Sequence, residues 1–269
     1  MQTLIVACAL GGCQGAEGDG TAEGHASDLV GGAPATEIPP GLVPLNDICG
    51  AVKIGPRDLL TAAHCVDPHY AEMVDEETFE VTGGAFARGA TICIVPRLTI
   101  PPGAPCPKPT HVAWTKLRED YWWQTASGAP AYKANDLAVI RLAEDTPEIP
   151  QAVVDEATVG VGDTIHMAGY GCTKFNPAEL PEEHPELVLR VGTTRVASVE
   201  PTAFLTAPGS AVSGCPRDSG TPVYRERDGV LLVVGLNSFV FRDGHATAMA
   251  KVDAESGMRD WIDARRAEP

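Results

Sequence analysis

The chain has 269 residues and a formal net charge of -16 at pH 7. So acidic a surface repels phosphate backbones, which argues against nucleic acid as a partner. The charge either keeps the protein soluble or favours basic substrates. Aromatic residues make up 6% of the chain, beside 23 prolines and 28 glycines. This composition predicts many turns, few long helices and hence a β-rich fold.

The first 28 residues are predicted to be a signal segment and a propeptide or tether, ahead of a folded domain at 29–265. An apolar run at 4–10 is too short to span a bilayer. Leu10-Gly11-Gly12-Cys13 resembles a bacterial lipoprotein cleavage box, which predicts a lipid on Cys13 and a place in the cell envelope of a bacterium. Because the first two residues carry no positive charge, secretion after an ordinary cleaved signal, a start further upstream and an accidental likeness stay open.

The eight cysteines suit disulfides better than a metal site. None has C-x-x-C spacing, and no set of cysteines and histidines has zinc-finger spacing. In an exported protein the last six form an even set fit for disulfides. The chain also lacks a phosphate loop and a dinucleotide fingerprint, so we expect no cofactor and no metal, with calcium at a surface loop left open.

Short apolar runs between Gly and Pro residues predict strands, and their spacing suits barrels or sandwiches. Arg227-Asp228-Gly229 predicts a hairpin between the last two strands. A helix is predicted at 256–265, where Trp261 and Ile262 would face the core. In chain order the predicted strands cover 48–54, 59–62, 78–82, 137–142, 164–169, 188–199, 221–224 and 230–237.

The segment 93–131 is long, irregular and rich in proline. A disulfide between Cys93 and Cys106 would close its first part into a surface loop. Four large aromatic residues follow, and they either pack beneath this loop or form a rim for substrate. They are Trp114, Tyr121, Trp122 and Trp123.

Three separated segments carry side chains suited to nucleophilic catalysis: T-A-A-H-C around His64, N-D-L-A-V-I around Asp136 and G-C-P-R-D-S-G-T-P around Ser219. Taken singly, each has an ordinary explanation as a core histidine, a capping aspartate or a turn serine. Together they supply a hydroxyl, an imidazole that accepts its proton and a carboxylate that holds the imidazole tautomer. The order His, Asp, Ser is the known order of the chymotrypsin-type triad.

These segments resemble those of the trypsin/chymotrypsin-like serine peptidases, and the likeness runs from about residue 29 to 265. Further matches are A-G-Y-G at 168–171, V-G-L-N-S-F at 234–239 and W-I at 261–262. The resemblance implies an all-β fold of two six-stranded antiparallel β-barrels with a C-terminal helix and a cleft between the barrels.

The resemblance also assigns roles in that cleft. His64 would be the base and Asp136 its orienter, both from the first barrel, while Ser219 from the second barrel would be the nucleophile. Ser238 would donate a hydrogen bond to the Asp136 carboxylate. Backbone N–H groups of Arg217 and Ser219 would form the oxyanion hole.

Two further disulfides are predicted from the likeness. Cys49 matches the cysteine that holds the histidine loop by bonding to Cys65. Cys172 and Cys215 both fall near the oxyanion loop, so we predict that they pair. The family's usual partner for Cys215 is absent from this chain.

The primary specificity pocket aligns with Ser213, Ser238, Val240 and Thr247. Ser213, at the pocket floor, lacks the charge with which trypsin-like enzymes bind Lys or Arg. Val240 and Thr247 align with residues that shorten the pocket in elastases. We therefore expect a small aliphatic P1 residue such as Ala or Val.

Leu29-Val30-Gly31-Gly32 resembles the I-V-G-G that begins the mature enzymes of the family. Cleavage after Asp28 would free the Leu29 amine to pair with Asp218 and order the oxyanion loop, which makes the chain a zymogen. A trypsin-like activator would not cut after aspartate. The alternative is that Gly31-Gly32 is only a turn.

Two residues depart from the family's G-D-S-G-G-P. Arg217 replaces the first glycine, whose positive φ costs a residue with a Cβ on the order of 1 kcal/mol and could turn the oxyanion donor away. Thr221 replaces the last glycine and could crowd the site. We expect a monomeric serine endopeptidase that acts on polypeptides through an acyl-enzyme at Ser219. A catalytically silent homologue that serves as a binding module and a structural surface lipoprotein are the alternatives.

Overall fold

The computed structural model describes residues 29–46, 48–66, 73–75, 77–121, 135–171, 187–241 and 246–269. Several predictions concern residues outside these ranges and stay predictions: the signal segment with Cys13, the cleavage after Asp28, two of the four aromatic residues (Trp122 and Trp123) and Cys172.

The described residues form sixteen strands, two α-helices and a short 3₁₀ helix at Gly84–Phe86. The helices are α1 (Ala63–Val66) and α2 (Met258–Arg266). The strands are β1 (Ala33–Pro34), β2 (Leu42–Leu45), β3 (Cys49–Lys53), β4 (Asp58–Thr61), β5 (Thr91–Ile92), β6 (Thr99–Ile100), β7 (Thr110–Leu117), β8 (Ala138–Leu142), β9 (Val153–Val154), β10 (Thr164–Gly169), β11 (Leu187–Val188), β12 (Arg190–Val199), β13 (Ala203–Thr206), β14 (Pro222–Arg227), β15 (Val230–Val240) and β16 (Thr247–Lys251).

The first half of the domain is a curled antiparallel sheet of six strands in the order β2-β3-β4-β8-β7-β5. Every residue of β4 and of β8 is buried, including the polar residues Asp58, Thr61 and Arg141. Thr61 at the end of β4 lies opposite Ala138 at the start of β8. The residues that follow β4 and those that precede β8 therefore leave the sheet at the same edge.

The second half is a closed antiparallel barrel in the order β12-β10-β14-β15-β16-β13, because β13 also pairs with β12. The predicted hairpin is present: Arg227 pairs with Val230, and the two loop residues Asp228 and Gly229 have φ of 52° and 76°. Positive φ at both central positions is typical of a type I′ turn.

One hydrophobic cluster joins the two halves. It contains Leu42 and Leu60 from the first sheet, Tyr224 and Leu236 from the barrel, and Trp261 from α2. The all-β fold with a C-terminal helix implied by the family resemblance is thus confirmed, with the first barrel seen as a curled half-barrel sheet.

Helix α2 begins two residues later than predicted. Gly257 before it has φ of 72°, a left-handed conformation that starts the helix at Met258. Met258, Trp261 and Ile262 are buried, and they recur at the spacing of one helical face. Among the described residues no helix has the length and apolar character needed to cross a membrane.

Two strand predictions differ from the structure. The segment 78–82 makes only isolated bridges, because the Asp75 carboxylate accepts hydrogen bonds from the N–H groups of Glu77 and Thr78 and bends the chain. The segment 188–199 is divided at Leu189, whose N–H donates to the carbonyl of Leu98. Two strands, β11 and β12, therefore stand where one was predicted.

The proline-rich loop closed by Cys93 and Cys106 reaches from the first sheet to the barrel. Its strand β6 pairs with β11, and the Tyr170 hydroxyl donates a hydrogen bond of 2.6 Å to the carbonyl of Arg97. Trp114 and Tyr121 are buried, Trp114 in the cluster that joins the halves. Packing rather than a substrate rim therefore accounts for these two aromatic residues.

Candidate active site

His64 and Asp136 meet at the sheet edge where β4 ends and β8 begins. The His64 Nδ1 atom lies 2.7 Å from Asp136 Oδ2, and the His64 backbone N–H donates a hydrogen bond of 2.9 Å to Asp136 Oδ1. The Asp136 side chain is fully buried, while 17% of the His64 side chain is exposed. The carboxylate thus holds both the ring and the backbone of a histidine that still faces solvent.

A second donor reaches the same carboxylate from the barrel, because the Ser238 hydroxyl lies 2.6 Å from Asp136 Oδ2. Burial alone raises the pKa of Asp136. The charge of His64 and the hydrogen bonds from His64 and Ser238 outweigh burial and hold the pKa below its ordinary value. Asp136 is therefore ionised at neutral pH and suited to stabilise a protonated imidazole.

Ser219 lies on the turn that connects Cys215 to β14. It lines the same cavity as His64. This cavity has a volume of about 330 Å³. The backbone carbonyl of Ser219 accepts a hydrogen bond of 2.8 Å from the N–H of Gly50 in the first sheet. The turn from the barrel is therefore attached to the sheet that carries the histidine.

Arg217 keeps a left-handed backbone, with φ of 85°. Glycine takes this conformation without cost, whereas a Cβ here costs roughly 1–2 kcal/mol. The neighbouring turn is closed by a hydrogen bond of 2.9 Å from the Asp218 N–H to the Cys215 carbonyl. Arg217 therefore adopts the left-handed backbone conformation that the family's glycine would adopt, and it does so at the cost of strain.

Asp218 is buried and faces the backbone of the barrel. Its Oδ1 accepts a hydrogen bond of 2.8 Å from Gly171 N–H, and its Oδ2 accepts one of 2.9 Å from Cys215 N–H. A Cβ on Gly171 would stand 2.5 Å from Asp218 Oδ2, so the glycine is required for this close approach. The carboxylate thus holds the backbone of Gly171 and Cys215 close to the turn that carries Ser219.

Leu29 is fully buried in a hydrophobic cluster of the second barrel. The next residue, Val30, forms a bridge with Ser213, whose N–H donates a hydrogen bond of 3.1 Å to its carbonyl. The segment is therefore packed into the barrel beside Ser213, and it is more than a surface turn.

Val240 and Thr247 lie directly opposite each other on β15 and β16, and both line the cavity. The Thr247 hydroxyl accepts a hydrogen bond of 2.8 Å from Gly214 N–H. A Cβ on Gly214 would lie 3.2 Å from a Thr247 methyl and 3.3 Å from a Val240 methyl, so the two side chains converge there. Ser213 is fully buried and is not among the described residues that line the cavity.

Cys49 is bonded to Cys65, next to His64, and Cys93 is bonded to Cys106. Cys215 is also disulfide-bonded, while its predicted partner lies outside the described residues. Although the Cys49 and Cys65 sulfurs lie close to a nitrogen of His64, they are bonded to each other. They are therefore not free to bind a metal as thiolates.

Sequence reasoning missed Asn237 and Gly50. Asn237 is buried in the middle of β15, and its side-chain N–H donates a hydrogen bond of 2.7 Å to the Thr221 hydroxyl. A polar residue within the apolar run V-V-G-L-N was the available signal. Gly50 leaves room for the Thr221 methyl group, which relieves the crowding expected at Thr221.

Comparison with known proteins places this geometry in a family. The trypsin family model matches residues 39–262, and the chain therefore belongs to the trypsin family. A stretch of 41 residues is 49% identical to Kallikrein-11 of Mus musculus and covers 15% of each chain.

Proposed function

We propose that this protein is an active serine endopeptidase that cleaves polypeptides through an acyl-enzyme on Ser219. The observation that supports this most directly is the pairing of His64 with a buried Asp136, beside a cavity that Ser219 also lines. A protein that only binds has no chemical need for a carboxylate, an imidazole and a hydroxyl in that arrangement.

The reaction begins when Ser219 Oγ attacks the scissile carbonyl while His64 accepts its proton. Asp136 stabilises the imidazolium, and His64 then protonates the leaving amine. The N–H groups of Ser219 and Arg217 hold the developing oxyanion, and loss of one such donor typically raises the barrier by about 2.7–4 kcal/mol. Water then takes the place of the departed amine, and His64 accepts a proton from it as it attacks and hydrolyses the ester.

The test is covalent labelling of Ser219 by an organophosphonate in processed protein. We expect stoichiometric labelling of the wild type and of the control variant Ser210→Ala, whose serine does not line the cavity. Ser219→Ala should lose the label together with more than about 10³-fold of the turnover rate. Absence of labelling in processed wild-type protein would contradict the proposal.

A catalytically silent binding module is the second candidate, and the strained backbone of Arg217 favours it. In that case Ser219→Ala would leave ligand binding unchanged, and the wild type would show neither label nor turnover. Arg217→Gly would then restore turnover if the strain alone had silenced the site.

The preference for a small aliphatic P1 residue rests on the two side chains that converge on Gly214. We expect Val240→Ala to raise kcat/KM for leucine or phenylalanine at P1 relative to alanine. Val230→Ala, at an exposed position in the hairpin, is the matched control and should leave this ratio unchanged. An unchanged ratio in Val240→Ala would remove the argument for a shortened pocket.

Export and activation belong to the same proposal. Disulfides persist in oxidising compartments, which favours an extracellular or cell-envelope location. Mass spectrometry of the mature N-terminus separates the alternatives. A start at Leu29 supports zymogen activation through Asp218, a lipid on Cys13 supports a bacterial envelope anchor, and an intact residue 1 contradicts both.

A further inference from the structure

We infer that Thr221 is a positioning residue of the oxyanion hole, acting on the peptide unit that carries the Ser219 N–H. This inference rests on the proposed function, because it assigns the Ser219 N–H to the oxyanion. It gives a role to a residue that replaces a family glycine and that sequence reasoning treated only as a source of crowding.

The Thr221 hydroxyl is the middle member of a chain of hydrogen bonds that runs from Asn237 to Asp218. Thr221 Oγ1 donates a hydrogen bond of 2.6 Å to the carbonyl of Asp218. The same oxygen accepts a hydrogen bond of 2.7 Å from Asn237 Nδ2. Since a carbonyl can only accept, the hydroxyl proton must point at Asp218, and the Asn237 amide must therefore be the donor to Thr221.

The Asp218 carbonyl and the Ser219 N–H belong to one planar peptide unit. A donor on the carbonyl therefore fixes the direction in which the N–H points. It also polarises the unit, because hydrogen bonds that follow one another through a peptide strengthen each other. The chain from Asn237 through Thr221 thus ends on the N–H that would face the oxyanion.

The surroundings favour this arrangement. Thr221 is fully buried and Asn237 nearly so, where a hydrogen bond is not weakened by competing water. The backbone on either side is fixed, since Asn237 N–H donates to the Thr221 carbonyl at 2.9 Å and Gly220 N–H donates to the Asn237 carbonyl at 2.7 Å. The Asp218 carbonyl also accepts the Thr221 backbone N–H at 3.0 Å, so the turn keeps one bond when the hydroxyl is removed.

Two variants at this position separate the hydroxyl from the bulk of the side chain. Thr221→Val keeps the shape and removes the donor, whereas Thr221→Ser keeps the donor and removes the methyl group. We expect Thr221→Val to lower kcat roughly 10-fold with KM nearly unchanged, and Thr221→Ser to stay close to the wild type. A peptidyl boronate, which places an oxygen in the hole, should bind more weakly to Thr221→Val by a similar factor.

A double variant separates positioning from stability. Thr221→Val leaves the buried Asn237 amide without its acceptor and should lower Tm. Adding Asn237→Leu removes that unpaired group and should recover part of the Tm, but it should not recover kcat. A purely structural role predicts the opposite, with turnover recovering as Tm recovers.

The acyl-enzyme carbonyl provides a direct readout. Its stretching frequency should rise in Thr221→Val, because weaker hydrogen bonds polarise the carbonyl less. If Thr221→Val matches the wild type in kcat, boronate affinity and frequency, the inference is wrong while the peptidase proposal stands. If the wild type forms no acyl-enzyme and takes no organophosphonate label, the proposed function itself has failed.

Discussion

Gly50 and Thr221 fit together without room for another atom. A Cβ placed on Gly50 would stand 2.2 Å from the Thr221 Cγ2 methyl carbon. Gly50 also donates its N–H to the Ser219 carbonyl, so this contact lies where the first sheet supports the turn that carries Ser219. The side chain at 221 is therefore accommodated by the absence of one at 50.

We expect Gly50→Ala to destabilise the protein by about 1–3 kcal/mol, the usual cost of overpacking, and to lower turnover by displacing the turn. Thr221→Ser in the same chain, which removes the methyl carbon and keeps the hydroxyl that Asn237 needs, should relieve most of the stability loss. Urea unfolding of the two single variants and the double variant measures the coupling. If the losses in the free energy of unfolding simply added in the double variant, the two side chains would not compete for this space.

Strain at Arg217 predicts a stabilising substitution. Arg217→Gly should raise the free energy of unfolding by about 1 kcal/mol, because glycine adopts φ of 85° without a Cβ penalty. Turnover should stay level or rise. Arg217→Ala keeps the penalty while removing the guanidinium, so it should not be stabilised. Equal gains in both variants would assign the effect to the side chain instead of the backbone.

The carboxylate behind His64 predicts a loss of rate with little change in fold. Asp136→Asn should lower kcat by about 10⁴-fold, the loss typical of this change in a Ser–His–Asp triad, because the amide favours the wrong imidazole tautomer. Ser238→Ala, which removes one donor to Asp136, should have a much smaller effect. Steady-state kinetics of the two variants checks the order, and a larger loss in Ser238→Ala would reverse the assigned roles.

The buried carboxylate of Asp155, which pairs with arginines, predicts that the protein loses stability in acid. Asp155 accepts hydrogen bonds from Arg225 and from the Ala157 N–H, and it lies 3.2 Å from Arg227. Burial alone raises the pKa of Asp155, but the hydrogen bonds and the positive charges lower it below its usual value.

Because the folded pKa of Asp155 is depressed, its stabilising contribution is complete above the unfolded pKa of about 4 and is lost as pH falls through the folded pKa. Urea unfolding between pH 7 and pH 3 should therefore show a weaker pH dependence in Asp155→Asn than in the wild type. Glu144→Gln, at an exposed position, should keep the wild-type slope. Identical slopes in all three proteins would contradict the prediction.

Arg141 is expected to be the most costly cation to remove from the first sheet. Its Nε atom lies 2.5 Å from the buried Asp58 carboxylate, and its Nη1 donates a hydrogen bond of 2.9 Å to the carbonyl of Glu268 beyond α2. Arg141→Met leaves the buried Asp58 carboxylate with only the longer contact to Arg266 at 3.8 Å, and should cost up to about 3–5 kcal/mol. Asp58→Leu added to it should recover part of that loss, as unfolding experiments would show.

Features with a local cause could be predicted from the sequence. Asp228-Gly229 supplies two residues that accept positive φ, so the hairpin follows from two adjacent positions. Helix α2 follows from the spacing of Met258, Trp261 and Ile262. The three segments of the candidate triad were recognisable because each carries its own short motif.

The order of those motifs along the chain did not predict how their side chains pack and hydrogen-bond in the folded protein. Whether Thr221 crowds the site depended on Gly50, which is distant in sequence and lies in the first sheet. The partner of the Thr221 hydroxyl depended on how β15 places Asn237 beside it. The division of the strand at Leu189 likewise depended on Leu98 in a loop of the other half. A short motif determines turn conformation and strand period by itself, whereas van der Waals space and hydrogen-bond partners come from whichever distant backbone the tertiary fold brings into contact.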